Sequence, residues 1–439
     1  MKVIVRLFII FQVFIFLGAR GQVQIKGFIF DSLNTVPVAY AKVHFSNSFK
    51  GSFSNLSGYF EFNYETDPML DSIVVERIGY ESLKLSLKSL ADKDTLLLYL
   101  DPSPVLLDEV IIVGENDFIR AIVEMALAHL KFNYPTQQHF YSGFFRFVRL
   151  ENKQFVRLIE AAVDIQDFGF HGLVNNPKTK IQVMQLRKSD FLGSKSIIEK
   201  AYARMFNKNQ LYDTYERNWL SQYPAKDAPA QYIFNESFTK QHKFKLRGET
   251  SLDDEDVFII DYFPASLSSL PEEYVLLAAS YGTLLINSAD WAIIALEESV
   301  GTRQKVNQDF ANKNYFDGQN MSTYRVQFSK FNNKYYLKSI DYTRWKGAGS
   351  FELASLYIND LIDDKRDFKK IRQRFLLSRT LDINDTEFAY DSIFWLSYNM
   401  VHEKLLDGKV IDDLQNESTL AEQFSENGLR KRKEKQKQN

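Results

Sequence analysis

Hydrolytic zinc needs His and Glu placed to ligate one ion, so histidine spacing is the first test for chemistry. The six histidines are His44, His129, His139, His171, His242 and His402. Three positions after them stand Asn47, Phe132, Ser142, Val174, Lys245 and Leu405, so none opens a His-x-x-Glu pair. His402-Glu403 begins a His-Glu-x-x-His pattern, but Leu406 stands where the second His belongs. The chain has no cysteine, which removes thiolate nucleophiles, cysteine-bound metals and disulfides. The sequence predicts no metal and no metallopeptidase activity.

Nucleophile motifs are equally thin. Ser237-Phe238-Thr239-Lys240 fits Ser-x-x-Lys, in which Lys activates Ser, but neither Ser-Asp-Asn nor Lys-Thr-Gly accompanies it. No Gly-x-Ser-x-Gly elbow and no phosphate-cradling Gly-rich loop occurs. Asp253, Asp254, Glu255 and Asp256 could offer oxygens to Ca²⁺, but they read as a solvated hairpin turn. Glu160 and Asp164 share a strand face, roughly 13 Å apart by the rise per residue, too far for paired glycosidase carboxylates. His129, beside an apolar helix face, reads as a packing or surface histidine. The remaining lead is aromatic. Trp291, Tyr324, Tyr335, Tyr336, Tyr342 and Trp345 fall on strands of one sheet, either as packing or as a surface for an apolar or sugar ligand. No catalytic, metal or cofactor residue is singled out, and the ligand-binding residues are left open.

The elements that would position such groups are mostly strands. With 439 residues, 45% hydrophobic and 25% charged, the chain is long enough for two or three domains of ordinary globular composition. Phe and Tyr are abundant and Gly is modest, which favours strands. From Gln22 to about Leu100, seven short alternating runs are separated by turns, the pattern of a small β-sandwich. Within it, "GSFSNLSGYFEF" predicts a hairpin, with a turn at Asn55–Gly58 and Phe60, Phe62 and Tyr64 on one face. Asp117 is an N-cap candidate for a helix whose face is Ile119, Ile122, Val123, Ala126 and Leu130, ending before Pro135. A long hairpin follows around Glu151-Asn152-Lys153, then a helix over 196–219. Further hairpins turn at 253–255, 288–290 and 332–333, and short helices are expected near Thr419 to Phe424. Residues 242–361 thus predict a large curved antiparallel sheet with one apolar face, covered by helices around Ile119–Leu130 and Ile197–Tyr215.

The N-terminus addresses the compartment. Lys2 and Arg6 precede the apolar run "LFIIFQVFIFL", and Ala19 and Gly21 stand at the two recognition positions before a cut, so residues 1–21 read as a signal peptide. The run is short for a full span, and no transmembrane segment is expected in the mature chain. Removing Lys2, Arg6 and Arg20 takes the net charge from −2 to −5, and setting aside the basic tail leaves a body near −10. That gives no footprint for nucleic acid. The tail, residues 425–439, reads as disordered and solvated.

One run carries a family likeness: Gly27, Asp31, Pro37-Val38-Ala39-Tyr40-Ala41-Lys42-Val43, Gly51, Asn55, Gly58-Tyr59-Phe60 and Ile78-Gly79-Tyr80. Residues 22–100 resemble the carboxypeptidase-regulatory-like domain, a transthyretin-like sandwich found after the signal peptide in envelope proteins of Bacteroidetes-type bacteria. That resemblance implies an accessory module rather than a catalyst. Leu107 to Val113 is similar to the segment that follows this domain in TonB-dependent transporters. The 325 residues after Gly114 are too few for a plug and a large barrel with long loops. The run "GTLLIN" to "WAI" with its long hairpins resembles the unclosed half-barrel of lipoprotein-carrier proteins.

The resulting expectation is a mixed β-rich chain. It has a signal peptide (1–21), a sandwich (22–100), a linker (101–116), an α+β domain with a large curved antiparallel sheet (117–424) and a tail (425–439). The function expected is a secreted, non-catalytic binding or structural protein of the envelope, holding an apolar or glycan ligand and needing no cofactor. Its partners would be an envelope protein, a lipid or a glycan. The alternative is a hydrolase whose site no motif reveals.

Overall fold

The computed structural model describes residues 22–65, 70–90, 93–103, 115–170, 179–193, 238–252, 255–265, 279–301, 322–347, 349–362, 383, 388–401, 404–415 and 418–438. The expected helix over 196–219 lies outside them, as do residues 1–21.

Seven strands form the sandwich: β1 (Gln22–Asp31), β2 (Lys42–Phe45), β3 (Gly51–Phe53), β4 (Tyr59–Glu65), β5 (Ser72–Glu76), β6 (Leu83–Ser86) and β7 (Leu96–Leu100). They make a three-stranded sheet, β4-β1-β7, and a four-stranded sheet, β3-β2-β5-β6. Alternation decides what faces inward. Ile25 and Ile29 of β1, Phe60 and Phe62 of β4, Ile73 and Val75 of β5 and Leu96, Leu98 and Leu100 of β7 close one core. The predicted turn exists: Asn55 Oδ1 accepts the Ser57 and Tyr59 N–H groups, both at 2.9 Å. The predicted hairpin does not, because β3 and β4 belong to different sheets. The chain crosses the sandwich here, pinned by Ser54, whose Oγ donates to Val38 O at 2.7 Å and accepts the Ala41 N–H at 2.9 Å.

Ten strands form the second sheet. They are β8 (His139–Glu151), β9 (Gln154–Asp167), β10 (Lys180–Lys188), β11 (His242–Leu252), β12 (Glu255–Pro264), β13 (Ala279–Asn287), β14 (Ile293–Gly301), β15 (Ser322–Phe331), β16 (Lys334–Gly347) and β17 (Ser350–Ile362). Their order is β10-β9-β8-β17-β16-β15-β14-β13-β12-β11, antiparallel throughout. The sheet is wider than residues 242–361 alone predict, because β17 returns to pair with β8. Register shifts in most of the pairings mark bulges, which bend strands and curve a sheet of this width. Tight turns close two hairpins. Asn152-Lys153 and Asn332-Asn333 all have positive φ, from 47° to 68°, the geometry of a type I′ turn.

One face of the sheet is apolar. Phe145, Leu356, Ile340, Val326, Leu296, Leu284 and Ile260 line up across it, one per strand from β8 to β12. Helices α1 (Glu115–Ala128) and α2 (Leu130–Asn133) and the short α3 (Phe238–Gln241) lie against it. All five residues of the predicted helix face are buried there. The helix begins at Glu115, two residues before the expected cap.

The opposite face receives the sandwich and the C-terminal helices α4 (Ser392–Ser397), α5 (Lys404–Leu414) and α6 (Leu420–Phe424), and α7 (Glu426–Gln438) follows α6. Helix α6 stands where short helices were expected, held by a Thr419–Glu422 capping box. The basic tail, expected to lack regular structure, is helical as α7. Its Lys, Arg, Glu and Gln content favours a helix, Arg430 faces Glu434 one turn on, and the Ser425 hydroxyl accepts the Gly428 N–H.

Candidate functional site

The sandwich-side face of the large sheet carries a row of polar residues where packing would predict apolar ones. Following the register from β12, neighbours run Asp261, Thr283, Glu297, Arg325, Asp341, Ser355, Arg146, Glu160 and Arg187, ending on β10. Strand period two puts them on one face because each is directly opposite the next. Thr283 Oγ1 donates to Asp261 at 2.8 Å, Arg325 to Glu297 at 2.8 Å and Ser355 Oγ to Asp341 at 2.7 Å. Arg146 and Arg187 grip opposite oxygens of Glu160 at 2.8–2.9 Å and 2.6 Å.

Burial separates the two ends of this row. Side chains of Glu297 and Arg325 are nearly half exposed, so water screens their pairing. Glu160 is 1% exposed. Burial alone would raise its pKa, but Arg187 and Arg146 win and hold it at about 2. Trp395 of α4 seals this end, its ring 4.4 Å from the Arg187 guanidinium, with Met400 Sδ 3.4 Å from Arg187. On the same strand, Asp164 goes the other way: burial lifts it to about 6 against a hydrogen bond from Ser142. These two carboxylates sit in separate surroundings, Glu160 between two arginines and Asp164 beside the Ser142 hydroxyl.

The sandwich docks over the middle of the face. Tyr357 of β17 stacks on Tyr40 with ring centroids 6.1 Å apart and meets the tilted ring of Phe53 at 5.1 Å. Phe49, in the loop after β2, enters the main core of the large domain and meets Phe331 and Tyr336 edge-on. A buried ionic cluster lies beside it. Glu76 of β5 accepts the Ser329 hydroxyl at 2.8 Å and the Lys338 ammonium at 3.2 Å, with His44 Nε2 3.7 Å away. Burial pushes Glu76 up, but Lys338, His44 and Lys42 together hold it well below the usual carboxylate range. Lys42 is fully buried, and its Nζ lies 3.3 Å from the centroid of the Phe49 ring. Burial, opposed by Glu76, pulls its pKa down to about 7. Asp101–Ser103, placed by the sequence at the start of the linker, are tied to both domains. Glu81 N–H donates to Asp101 O and Ser103 N–H to Gly79 O, while the Ser103 and Ser251 hydroxyls are 2.6 Å apart.

A small cavity of about 10 Å³ lies among Pro135, His139, Tyr141, Asp167 and Tyr335, room for one water. Its ionisable groups are already engaged. His139 Nε2 is 2.9 Å from the Tyr141 hydroxyl, which accepts the Leu337 N–H at 3.1 Å. Asp167 accepts the Gly169 N–H at 2.7 Å.

The six aromatics singled out from sequence do not converge. Tyr324, Tyr335 and Tyr342 fall on the apolar side by register, with Tyr324 and Tyr342 stacked at 5.0 Å. Tyr336 and Trp345 lie on the other side, and Trp291 stacks on Phe258 from the β13–β14 turn at 6.5 Å. His129 is half-buried, its Nδ1 2.7 Å from Met125 O. Among the acidic run, Glu255 pairs with Lys330 at 3.4 Å, whereas Asp253 and Asp254 lie outside the described residues. Lys240 is exposed on α3, and Ser237 lies outside the described residues. No group of three metal-ligating side chains occurs among the described residues. The polar row and the buried cluster escaped the sequence reading. The only available signal was charged residues at mid-strand positions, as Arg146 in "YSGFFRFVRLE".

Comparison with known proteins gives the sandwich its class. Residues 25–112 match the CarboxypepD_reg-like domain family, which accounts for the N-terminal segment alone. No curated protein matches the chain. Three solved structures are similar in outline. A domain described as an outer membrane lipoprotein-sorting protein from Vibrio parahaemolyticus shares 10% identity at a TM-score of 0.24, covering 58% of this chain and 97% of its own. A LolA superfamily protein from Nitrosomonas europaea shares 14% identity at 0.23, with 58% and 98% covered. A DUF1329 family protein from Desulfovibrio piger shares 10% at 0.24, with 58% and 97% covered.

Proposed function

We propose that this chain is an exported envelope protein that works by binding rather than catalysis, with sandwich and sheet acting as one docked body. The observation that carries this reading is where the buried ionisable groups are used. Arg146 and Arg187 both pair with Glu160, and Glu76 and Lys338 join two domains. A hydrolase needs a nucleophile, a base and room for a substrate in one place. The cavity beside His139 has room for a water. Export follows from the signal-peptide pattern of residues 1–21.

The ligand class is apolar. On the helix side of the sheet Leu246, Phe258 and Trp291 pack on the core yet keep part of their surface open. An acyl chain laid there would remove that surface from water. The test uses a fluorescent fatty acyl probe with the mature chain. Saturable binding, weakened by Phe258→Ala, supports the apolar ligand. Absence of saturable binding removes it, and turnover of an ester substrate panel would favour a hydrolase instead.

A glycan is the second reading, favoured by one observation. The outer face of the three-stranded sheet carries Phe28 and Phe30 with rings near parallel at 6.2 Å, Tyr59 at 5.3 Å from Phe28 and Tyr99 at 6.0 Å from Phe30. Half-exposed rings of this kind stack on sugar faces, and Glu61, Gln24 and Asn63 stand in the next rows for hydroxyl groups. Retention on envelope polysaccharide that Phe28→Ala abolishes would support this ligand, and no retention would remove it.

A further inference from the structure

We propose that Lys42 is a proton-linked latch between the sandwich and the large sheet: the docked arrangement accepts its neutral amine more readily than its ammonium. The placement carries the argument. Lys42 is on β2 of the sandwich, is 0% exposed, and its Nζ makes no hydrogen bond. Its near neighbour is the face of Phe49, the aromatic side chain that enters the large domain. An ammonium without a hydrogen-bond acceptor in such a place forfeits its hydration, which a ring face repays only in part. Undocking would return Lys42 to water at the same moment as it withdrew Phe49.

The charges that face this amine come from every neighbouring element. Glu76 on β5 attracts its proton, and Asp360 on β17 does so more weakly. Lys338 on β16 repels it and is the cation that makes a direct ion pair with Glu76, at 3.2 Å. His44, two residues along β2, shares Glu76 with them, and Lys50 faces Asp360. Glu76 therefore serves two lysines and a histidine, and Lys338 makes the direct contact while Lys42 Nζ, like His44 Nε2, has no hydrogen bond.

Linkage fixes the sign. The docked pKa of about 7 lies below the ordinary 10.5, so the undocked state binds more protons between those values. Docking therefore strengthens as pH rises through that window and weakens as pH falls toward 7. Glu76, held low, contributes docking strength above its ordinary pKa and loses it only in acid. The two groups thus work in separate pH ranges.

Two amides report docking directly because their hydrogen bonds cross the interface. Asn63 N–H donates to Asn399 Oδ1 at 2.7 Å, and Ser251 N–H to Ser103 Oγ at 3.2 Å. Hydrogen exchange of the full chain, expressed as protection factors, would be followed at both from pH 6 to pH 9. Protection should rise about 100-fold in the wild type, because the one-proton difference acts at about tenfold per pH unit over the two units between the docked pKa of about 7 and pH 9. Lys42→Met should be flat and protected throughout. Lys42→Arg, charged at every pH used, should stay at the low-pH value. Amides within β8 and β9 provide the folding control. If Lys42→Met fails that control, the Lys42→Arg comparison decides alone. A flat wild-type profile, or a wild-type slope retained in either variant, would overturn the latch.

Discussion

Asn63 and Asn399 bond each other twice: the Asn63 N–H donates to Asn399 Oδ1 at 2.7 Å, and Asn399 Nδ2 donates to Asn63 O at 3.1 Å. A side-chain amide here does what a neighbouring strand would do for β4. Asn399→Ala leaves both backbone groups of Asn63 without these partners, and a stability loss of about 1–3 kcal/mol is expected. Urea unfolding measures it. A loss within error of zero would show that the bonds exchange freely with water.

Glu160→Gln should be among the most damaging single changes. It leaves Arg146 and Arg187 buried around a neutral amide, and removal of one partner from such a group costs about 3–5 kcal/mol. The pH profile gives an independent check. Glu160 is held at about 2 against an ordinary 4.5, so its contribution is present above 4.5 and is lost as pH falls toward 2. The wild-type melting temperature should drop through that range more steeply than that of the variant.

Asp164 predicts the opposite slope. Burial holds it at about 6 against an ordinary 3.8, so the folded chain takes up a proton there as pH falls from 6 to 4. Its penalty on stability therefore builds up as pH rises from about 4 to 6 and is fully present, without further change, above that. Asp164→Asn should raise the melting temperature at pH 8 and leave it nearly unchanged at pH 4. An equal shift at both values would contradict the assignment.

Two glycines separate backbone strain from crowding. Gly58 has φ +74°, and an added Cβ would meet Ile29 O at 2.4 Å. Gly79 has φ +87° with nothing within 4 Å. Gly79→Ala should cost about 1–2 kcal/mol from the left-handed backbone alone. Gly58→Val should exceed it, because backbone must move as well. The ranking reversed in denaturant titrations would mean that β1 yields easily at Ile29.

These results show which parts of the molecule alternation can reveal. Phe60 and Phe62, Ile73 and Val75, and the pairs along β12 and β13 declare an inside and an outside, and both sheets follow. The turns are legible too, because Asn332-Asn333 and Gly58 are residue types suited to positive φ. What pairs with what over long distances is not legible: β3 and β4 look like hairpin partners although they belong to different sheets. The polar row was hidden for a related reason. Arg146 and Glu160 stand at alternating positions that periodicity assigns to solvent, and only the arrival of α4 and the sandwich buries that side. No local pattern in the chain announces that a second layer will cover it.

The place of β17 between β8 and β16 has a consequence for how the molecule is made. Leu150 and Phe351 are register partners although about 200 residues separate them. As the polypeptide emerges, β8 to β10 are complete early, but the free margin of β8 has no neighbour until β17, ending at Ile362 of 439 residues, has been synthesised. Throughout that interval it offers unpaired amides and carbonyls to any other extended chain. Long-range pairing of this kind is slow to form. The late strand therefore makes the half-made protein depend on being shielded until its C-terminal part arrives. Truncation just before Ser350 should yield aggregates rather than a smaller soluble sheet.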